Sequence, residues 1–526
     1  MTRACAGGLV AVAVAAGLAL RLAHLDVRPM HHDEANQAVK FGVLLERGEY
    51  RYDAHDHHGP TLYYLSLPAA ALRGQTTLAS LDERTLRSVT VVFGTATILL
   101  LPLLSAGIGR TAVVAGAVLM AMSPAMTFYS RMYIQEALFA CFTLAFVIAV
   151  GRVAGGGGLA WATLAGVAAG LAVATKETSI IVLPAALASC ALARRSLRGA
   201  GLALGAPSGG WGTAVATAAA SAAVVAVLFY SSFLAAPAAL IEPFRAMATY
   251  LDRGIDPASH AQPWHYYLGL LTYFSSGGLR WSEGLVLVLA IVGMGAAWRG
   301  GDPSRPERTF WARHLAGYTL ISVAVYSAIR YKTPWNLLPF YAGALVLAGV
   351  GLSRLVHAPL SRACRAALLA ALLLASGHLG WQAWRASVIY AADPRNPYVH
   401  AQTVPDAVRM ATRIRALAAV HPDGDRMLVA VVAPPYEQWP LPWYLRAMPH
   451  VGYWTAPGDA LSLGAPVVVT SLEHTAAMDA ALGERYVSEF YGLRPDVLLV
   501  LHVERGLWER FLGQAASGAS TPASVP

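Results

Sequence analysis

Long apolar runs separated by short polar connections dominate the first three quarters of the chain. The first run covers residues 5–25, and others lie near residues 88–108, 111–128, 134–150, 159–174, 178–193, 211–236, 283–299, 315–329, 336–352 and 366–382. A helix needs about 20 apolar residues to span a bilayer. The pattern therefore predicts a polytopic α-helical membrane protein with about 11 transmembrane helices. The first run also suits a signal peptide, but the many similar runs after it favour a retained helix.

A long polar insertion, residues 26–87, interrupts this pattern after the first run. Apolar residues within it recur at helical spacing and predict an amphipathic helix that lies in the membrane interface. These residues are Ala35, Ala38, Val39, Gly42, Val43 and Leu45. A second helix is predicted after Pro60, with Tyr63 and Tyr64 on it. Residues 237–267 form a second polar excursion, and its aromatic end is typical of the lipid headgroup region.

The pattern changes from residue 391 onward. Short apolar runs at 427–433, 466–471 and 497–504 predict buried strands, and helical patterns cover 403–420, 471–482 and 507–514. We therefore expect three regions: a transmembrane domain at 1–390, a small external α/β domain at 391–515 and a disordered tail at 516–526.

Composition supports the membrane class. Of the 526 residues, 56% are hydrophobic and only 13% are charged, and the mean hydropathy is +0.49, which excludes an ordinary soluble globule. The net charge of +9 comes from arginines spread through short loops, so membrane orientation explains it better than nucleic-acid binding. No cysteine spacing suits a disulfide framework or a thiolate zinc site.

The distribution of charged residues predicts the orientation. Two arginine-rich loops fall on the side of the N-terminus, which should be cytoplasmic. They contain Arg299, Arg305, Arg308 and Arg313, and Arg354, Arg362 and Arg365. The acidic residues collect on the opposite side, which we expect to be external: Asp33, Glu34, Asp53, Asp56, Glu136, Glu177, Glu242, Asp252 and Asp256.

Histidines and carboxylates concentrate in residues 29–64. Asp33 precedes an amphipathic run, so it suits a helix N-cap, and it also suits a general base at the membrane surface. His57 and His58, with the nearby residues of 53–56, could bind a divalent metal such as Zn, Mn or Mg. A solvated loop explains the same histidines without a metal.

Charged residues also gather at predicted external helix ends. Arg131 and Glu136 follow one span, Lys176 and Glu177 precede another, and Lys332 lies in a third connection. Such residues commonly form ion pairs or extend toward the lipid headgroups. The alternative is that the cations converge on a phosphate, which arginine binds as a fork and lysine as a point charge.

Four motifs carry a family resemblance. They are His32-Asp33-Glu34-Ala35, His58-Gly59-Pro60, Lys332-Thr333-Pro334-Trp335 and residues 396–403. Together they resemble the GT-C superfamily of membrane glycosyltransferases, which includes the protein O-mannosyltransferases and the aminoarabinose transferases. They look most like the flippase activity-associated family of archaeal N-glycosylation. The resemblance covers nearly the whole chain and implies the GT-C fold.

The resemblance also implies roles for single residues. Asp33 matches the acidic residue that acts as base or metal-associated carboxylate, and Glu34 lies beside it in the same motif. Lys176 matches a lysine that contacts the lipid phosphate. Arg131 and Glu136 match a loop that lines the site. Tyr63 and Lys332 complete the predicted substrate-binding and phosphate-binding set.

We therefore expect an inverting cell-envelope glycosyltransferase in the cell membrane. Its donor is a sugar on a polyprenyl phosphate, and its acceptor is a protein, glycan or lipid on the external face. A lipid-linked oligosaccharide flippase or flippase-accessory protein is the alternative, but the predicted spans are nearly free of the charges that line a transport pathway. A carbohydrate-binding protein is a third possibility, suggested by aromatic residues such as Trp439, Trp443 and Trp454.

Overall fold

The computed structural model describes residues 1–53, 58–255, 260–298 and 304–519, and most of them are helical. The membrane part contains α1 (Arg3–Leu22), α2 (His32–Arg47), α3 (Thr61–Leu72), α4 (Glu83–Leu99), α5 (Ser105–Ile108), α6 (Arg110–Met122), α7 (Pro124–Tyr129), α8 (Glu136–Ala154), α9 (Leu159–Val173), α10 (Ser179–Gly199), α11 (Gly210–Tyr230), α12 (Glu242–Ile255), α13 (Tyr266–Thr272), a hairpin of β1 (Phe274–Ser276) and β2 (Leu279–Trp281), α14 (Gly284–Trp298), α15 (Pro306–Ala328), α16 (Leu338–Val356) and α17 (Arg362–Trp384).

Helices occupy every predicted apolar run. Within the described residues, seven segments are long and apolar enough to cross a membrane: Arg3–Leu22, Glu83–Ile108, Glu136–Ala154, Ser179–Gly199, Gly210–Tyr230, Pro334–Val356 and Arg362–Ile389. Four shorter apolar helices accompany them: Thr61–Leu72, Arg110–Met122, Leu159–Val173 and Gly284–Gly295. The polytopic α-helical class is confirmed, and the number of helices that cross the membrane stays a prediction.

Helices α8 and α16 form the centre of the bundle, whereas α11 and α17 lie at its edge. Close packing in the centre depends on glycine. A Cβ atom at Gly351 of α16 would lie 2.0 Å from the carbonyl oxygen of Leu289 in α14. Small residues at such positions allow two helix backbones to approach each other, which is how helices associate where no water drives their contact.

Helix α2 positions the polar residues of the first insertion. It begins two residues earlier than an Asp33 N-cap would allow, because His31 and not Asp33 is the N-cap. The His31 side chain accepts from the backbone of the first turn, and Glu34 reaches back to the backbone N–H of His31, which is a capping box. The helix ends at Gly48, whose φ of 74° terminates it in the left-handed conformation. Asp33 therefore leaves its carboxylate available for another role.

A five-stranded sheet forms the C-terminal part. Its elements are α18 (Pro405–Val420), β3 (Val429–Val432), α19 (Pro435–Gln438), α20 (Leu441–Tyr444), β4 (Val451–Trp454), α21 (Pro457–Ser462), β5 (Val467–Ser471), α22 (Leu472–Leu482), β6 (Tyr486–Arg494), β7 (Val497–Glu504) and α23 (Arg505–Ala519). The strand order is β4-β3-β5-β7-β6, with β3 parallel to both β4 and β5, and with β7 antiparallel to both β5 and β6.

The sequence pattern anticipates β3, β5 and β7 and the three longer helices of this part, but not β4 and β6. The three anticipated strands are the inner ones, buried and apolar, whereas β4 and β6 are the edges and carry less buried side chains. Helix α23 continues to Ala519, beyond residue 516 where a disordered tail was expected. Residues 520–526 lie outside the described part, and the domain boundaries stay a prediction.

The C-terminal part contacts the first insertion directly. The backbone N–H of Met30 donates to the Tyr444 hydroxyl at 2.7 Å. The Gln402 side chain donates to the carbonyl oxygen of Pro29 at 2.9 Å. These bonds hold the segment that leads into α2, so the C-terminal part helps to position Asp33.

Candidate active site

Asp33 lies in the first turn of α2 with its side chain 40% exposed, next to the buried ring of His31. The backbone N–H of Asp33 donates to Nδ1 of His31 at 3.0 Å, and Nε2 of His31 lies 3.0 Å from the carbonyl oxygen of His400. These two bonds assign the His31 proton to Nε2 and use both ring nitrogens. His31 thus acts as the N-cap of α2, and Asp33 is the partly exposed group beside it.

Glu34 lies on the opposite side of the same turn and is fully buried. Its carboxylate accepts from Arg87 Nε at 2.8 Å, from Arg28 at 3.3 Å, and from the backbone N–H groups of His31 at 3.0 Å and Tyr133 at 2.8 Å. Burial alone would raise the pKa of Glu34, but the two arginines outweigh it and lower the pKa to about 2. Glu34 was predicted to be catalytic together with Asp33; the structure buries it within an ion-pair network.

Histidines surround Asp33 on the outward side. Burial would raise the pKa of Asp33, but the imidazoles of His31, His32 and His58 outweigh it and hold that pKa below its usual value. Nε2 of His400 lies 3.1 Å from Nδ1 of His260. Burial and this neighbour lower the pKa of His400 to about 4, so His400 is neutral at pH 7. The site therefore holds an ionised carboxylate among imidazoles.

His58 pairs with a carboxylate from the start of α10. Its Nδ1 lies 2.6 Å from Oε2 of Glu177, and the Tyr52 hydroxyl donates to Oε1 of the same residue at 3.0 Å. Burial opposes ionisation of Glu177, but the attraction of His58 lowers the pKa of this carboxyl. The backbones of the same two segments are also hydrogen-bonded, since the N–H of Gly59 donates to the carbonyl oxygen of Thr175 at 3.1 Å.

Lys176 is buried next to this pair. Its Nζ donates to a carboxylate oxygen of Glu136 and, at 2.8 Å, to the side-chain oxygen of Asn336. Lys332 is also buried, and its Nζ donates to the carbonyl oxygens of Ile329 and Gln262. Because an ammonium group has three hydrogens, each of these lysines keeps one donor beyond the two bonds named.

Two predicted substrate-binding residues have other contacts. The Arg131 guanidinium donates to the carbonyl oxygens of five residues, most of them where α1 ends: Leu20, Arg21, Ala23, His24 and Ser387. Its fork is thus used to cap a helix instead of facing Lys176. Tyr63 is fully buried, donates to Gln37, and packs its ring 4.6 Å from that of Tyr50.

The predicted metal site is only partly within the described residues, because His57 lies outside them. In ranges 1–53, 58–255, 260–298 and 304–519, no group of three or more His, Cys, Asp or Glu residues is arranged to hold a metal ion. His31 uses Nδ1 as the helix cap and Nε2 for the carbonyl oxygen of His400, and His58 uses Nδ1 for Glu177. A divalent metal at His57 and His58 stays a prediction.

Sequence reasoning did not select His400, His260 or Asn336 as site residues. His400 lies in the motif at 396–403 and Asn336 directly follows the motif at Lys332, so these family motifs could have identified both residues. Trp335 joins them, with its ring 5.7 Å from His31 and 5.6 Å from His400. His260 carries no local signal, since only the fold brings it to His400.

Known proteins resemble this chain in sequence and in fold. A family model described as dolichyl-phosphate-mannose-protein mannosyltransferase matches residues 66–206. The structure of ArnT from Cupriavidus metallidurans bound to undecaprenyl phosphate is similar over 94% of this chain and 98% of that one, with 17% identity and a TM-score of 0.62. No curated protein matches the chain in a sequence search.

An archaeal enzyme has the same architecture. The apo oligosaccharyltransferase of Archaeoglobus fulgidus is similar over 97% of this chain and 77% of its own, with 14% identity and a TM-score of 0.57. Its complex with Zn and sulfate gives 14% identity and a TM-score of 0.53.

The chain has the GT-C fold. The resemblance to the GT-C superfamily of membrane glycosyltransferases is confirmed, and the family model agrees with the predicted enzyme class, a GT-C-type glycosyltransferase. The chain is a multi-pass membrane protein of this type. Its closer likeness to the flippase activity-associated family stays a prediction.

Proposed function

We propose that this GT-C protein transfers a sugar from a polyprenyl-phosphate donor to an acceptor on the external face, with inversion at the anomeric carbon. The observation that carries the proposal is the contrast between adjacent carboxylates. Glu34 is enclosed by arginines, whereas Asp33 is 40% exposed with a lowered pKa among histidines. A partly exposed carboxylate that is ionised suits a general base.

In the proposed reaction, Asp33 accepts the proton of an acceptor hydroxyl or amide. The acceptor atom then forms a bond to the anomeric carbon while the bond from that carbon to the phosphate oxygen breaks. The lipid phosphate leaves with the electron pair. The remaining donors of Lys176 and Lys332 stabilise its charge, and Glu34 positions Asp33 through the capping box without touching substrate.

The donor class is inferred from two similar proteins. The similar ArnT structure contains undecaprenyl phosphate, and the matching family model is described by a dolichyl-phosphate sugar donor. Both are sugar carriers or donors built on polyprenyl phosphates, and a donor with a long hydrocarbon tail fits a protein with many apolar helices. The predicted orientation of the chain puts Asp33 on the external side.

The test uses cells that lack the gene and carry the full-length chain or a variant. Glycans and lipid-linked intermediates are compared by mass spectrometry. We expect Asp33→Asn to reduce the amount of glycan product at least about 100-fold, as loss of a general base does. Asp26→Asn is the matched control, because Asp26 lies in the same insertion, is 46% exposed and forms a surface ion pair with Arg84.

Two outcomes would contradict the proposal. A wild-type amount of glycan product from the Asp33→Asn variant would show that Asp33 is not the general base. Accumulation of an untranslocated lipid-linked glycan in the deletion strain, with external transfer intact, would instead support a flippase-accessory function.

A further inference from the structure

A cavity of about 720 Å³ lies among α8, α9, α10 and α11. It is far from Asp33. Helix α10 begins at Ser179, directly after Glu177 of the candidate active site, and has 21 residues. At 1.5 Å per residue this helix extends about 30 Å, so its last turn lies at the other end of the bundle. The cavity reaches that last turn, where Arg194, Arg195 and Arg198 line it.

The walls of this cavity are apolar and made largely of small residues. Gly166 and Gly170 allow α9 to pack tightly on α11, since a Cβ atom at Gly166 would lie 2.2 Å from the carbonyl oxygen of Ala218. The space remains between this helix pair and α10. Leu183 and Leu187 of α10 face it, with alanines of α9 and α11 opposite. Because these helices have membrane-type composition, hydrocarbon is the medium that contacts such a wall.

The mouth of the cavity is cationic. Arg194 has a structural role, since its guanidinium donates to the carbonyl oxygen of Ala154 and lies 4.8 Å from the Trp211 ring centroid. Arg195 and Arg198 are exposed, and neither side chain bonds to another residue in the part of the chain that the structure describes. No acidic residue is among the described residues that line the cavity. An anion is therefore the complementary ligand.

We propose that this cavity binds an anionic phospholipid, with one acyl chain between α10 and the α9–α11 pair and the phosphate on Arg195 and Arg198. Arginine binds phosphate through its planar fork, and basic pockets between membrane helices bind acidic headgroups in this way. Trp211 lies where an aromatic ring is stable, at the boundary between headgroup and hydrocarbon. A zwitterionic lipid fits less well, because no carboxylate is present to meet its cationic end.

The proposed lipid site bears on how α11 packs against the bundle. This helix is at the edge of the bundle, and few of its residues are buried by protein. A lipid held between α10 and α11 would fill the gap that side chains leave. The inference is independent of the proposed transferase reaction, because it concerns a different end of the molecule and a different ligand.

The test is native mass spectrometry of the full-length protein released from detergent, titrated with phosphatidylglycerol or phosphatidylcholine of identical acyl chains. We expect a preference of at least about tenfold for phosphatidylglycerol. Arg195→Gln together with Arg198→Gln should weaken its binding about 30-fold. Arg362→Gln with Arg365→Gln is the matched control, because these arginines have the same spacing at the start of α17 and do not line the cavity.

A second pair of variants tests the acyl-chain position. Ala219 lines the cavity and Ala220, its neighbour on α11, does not, although both are exposed. Ala219→Trp should fill the cavity and abolish tight binding, whereas Ala220→Trp should leave it unchanged. Equal binding of the two lipids, equal loss in the control arginine pair, or full binding by Ala219→Trp would overturn the proposal. Thermal melting of each variant identifies any that fails to fold, and the other pair then decides.

Discussion

Nδ1 of His58 lies 2.6 Å from Oε2 of Glu177, a contact that joins the first insertion to the start of α10. Glu177 is buried, and its other carboxylate oxygen accepts from Tyr52. The pair therefore ties two segments that are 119 residues apart in the chain. Since the N–H of Gly59 bonds to the carbonyl oxygen of Thr175 in the same connection, the two contacts together fix residues 58–59 against the segment that leads into α10.

We predict that His58 and Glu177 are energetically coupled. Glu177→Gln and His58→Gln should each lower the free energy of unfolding, and the double variant should cost less than the sum of the two. The coupling should be about 1–3 kcal/mol, the range for residues in one buried network. Denaturant unfolding of the four proteins in detergent micelles measures it. Tyr52→Phe, which removes one neutral hydrogen bond, should cost about 1 kcal/mol; strict additivity of the pair would contradict the coupling.

His31 is predicted to act as a cap and not as a proton carrier. His31→Ala should lower the free energy of unfolding by about 1 kcal/mol, the usual value of an N-cap, and should reduce transfer more strongly because Asp33 loses its orientation. His31→Asn should restore most of the stability, since asparagine is a strong N-cap residue. Complementation of the deletion strain and thermal melting measure the two effects. Equal activity loss in both variants would favour a direct chemical role for His31.

Glu34 should determine how the protein tolerates acid. Its pKa is lowered from 4.5 to about 2, so the folded state holds the proton less tightly than the unfolded state does. The resulting stabilisation, about 3 kcal/mol, is fully present above pH 4.5 and is lost as the pH falls toward 2. Unfolding in detergent between pH 6 and about 2.5 measures this slope.

Substitution of Glu34 tests the same network at neutral pH. Glu34→Gln should destabilise the fold by about 3–5 kcal/mol, because Arg87 and Arg28 would keep their buried charges without a partner. Glu49→Gln is the control: its ion pair with Arg51 is exposed, so it should cost less than about 1 kcal/mol. A small effect of Glu34→Gln would show that water or rearrangement compensates the arginines.

Glu283 is predicted to organise the segment that carries His400. Its buried carboxylate accepts from Ser123, from the backbone N–H of Ala125, and from the hydroxyls of Tyr341 and Tyr398 at 2.6 and 2.7 Å. Glu283→Gln keeps most of these bonds, because its amide can donate to hydroxyls as well as accept, and should cost about 1 kcal/mol.

Glu283→Leu leaves those donors unsatisfied and should cost about 3 kcal/mol or more. Thermal melting compares the two variants, and the transfer assay should show the larger loss for Glu283→Leu. Equal behaviour of the two would mean that these hydrogen bonds do not hold the segment.

Local patterns were sufficient for the helices and for the inner strands. Apolar runs in α8 and α16 and the spacing in α2 are set by neighbours along the chain, so hydropathy and periodicity identify them. The edge strands β4 and β6 were missed because their partly exposed positions weaken the apolar signal. The same limit explains the N-cap: an Asp before an apolar run is typical of a cap, but only the backbone direction at residues 31–33 assigns this role to His31.

The sequence by itself determined that this is a polytopic helical membrane protein, because membrane burial imposes a hydropathy pattern that is visible without a fold; the resemblance of its motifs added the GT-C type. It also singled out Asp33, Lys176 and His58. The tertiary structure alone decided which partners the polar residues around this site have. It surrounded Glu34 with arginines, turned Arg131 onto the carbonyls at the end of α1, and brought His400 to His31 across 369 residues. Such partnerships depend on long-range packing, which no local spacing encodes.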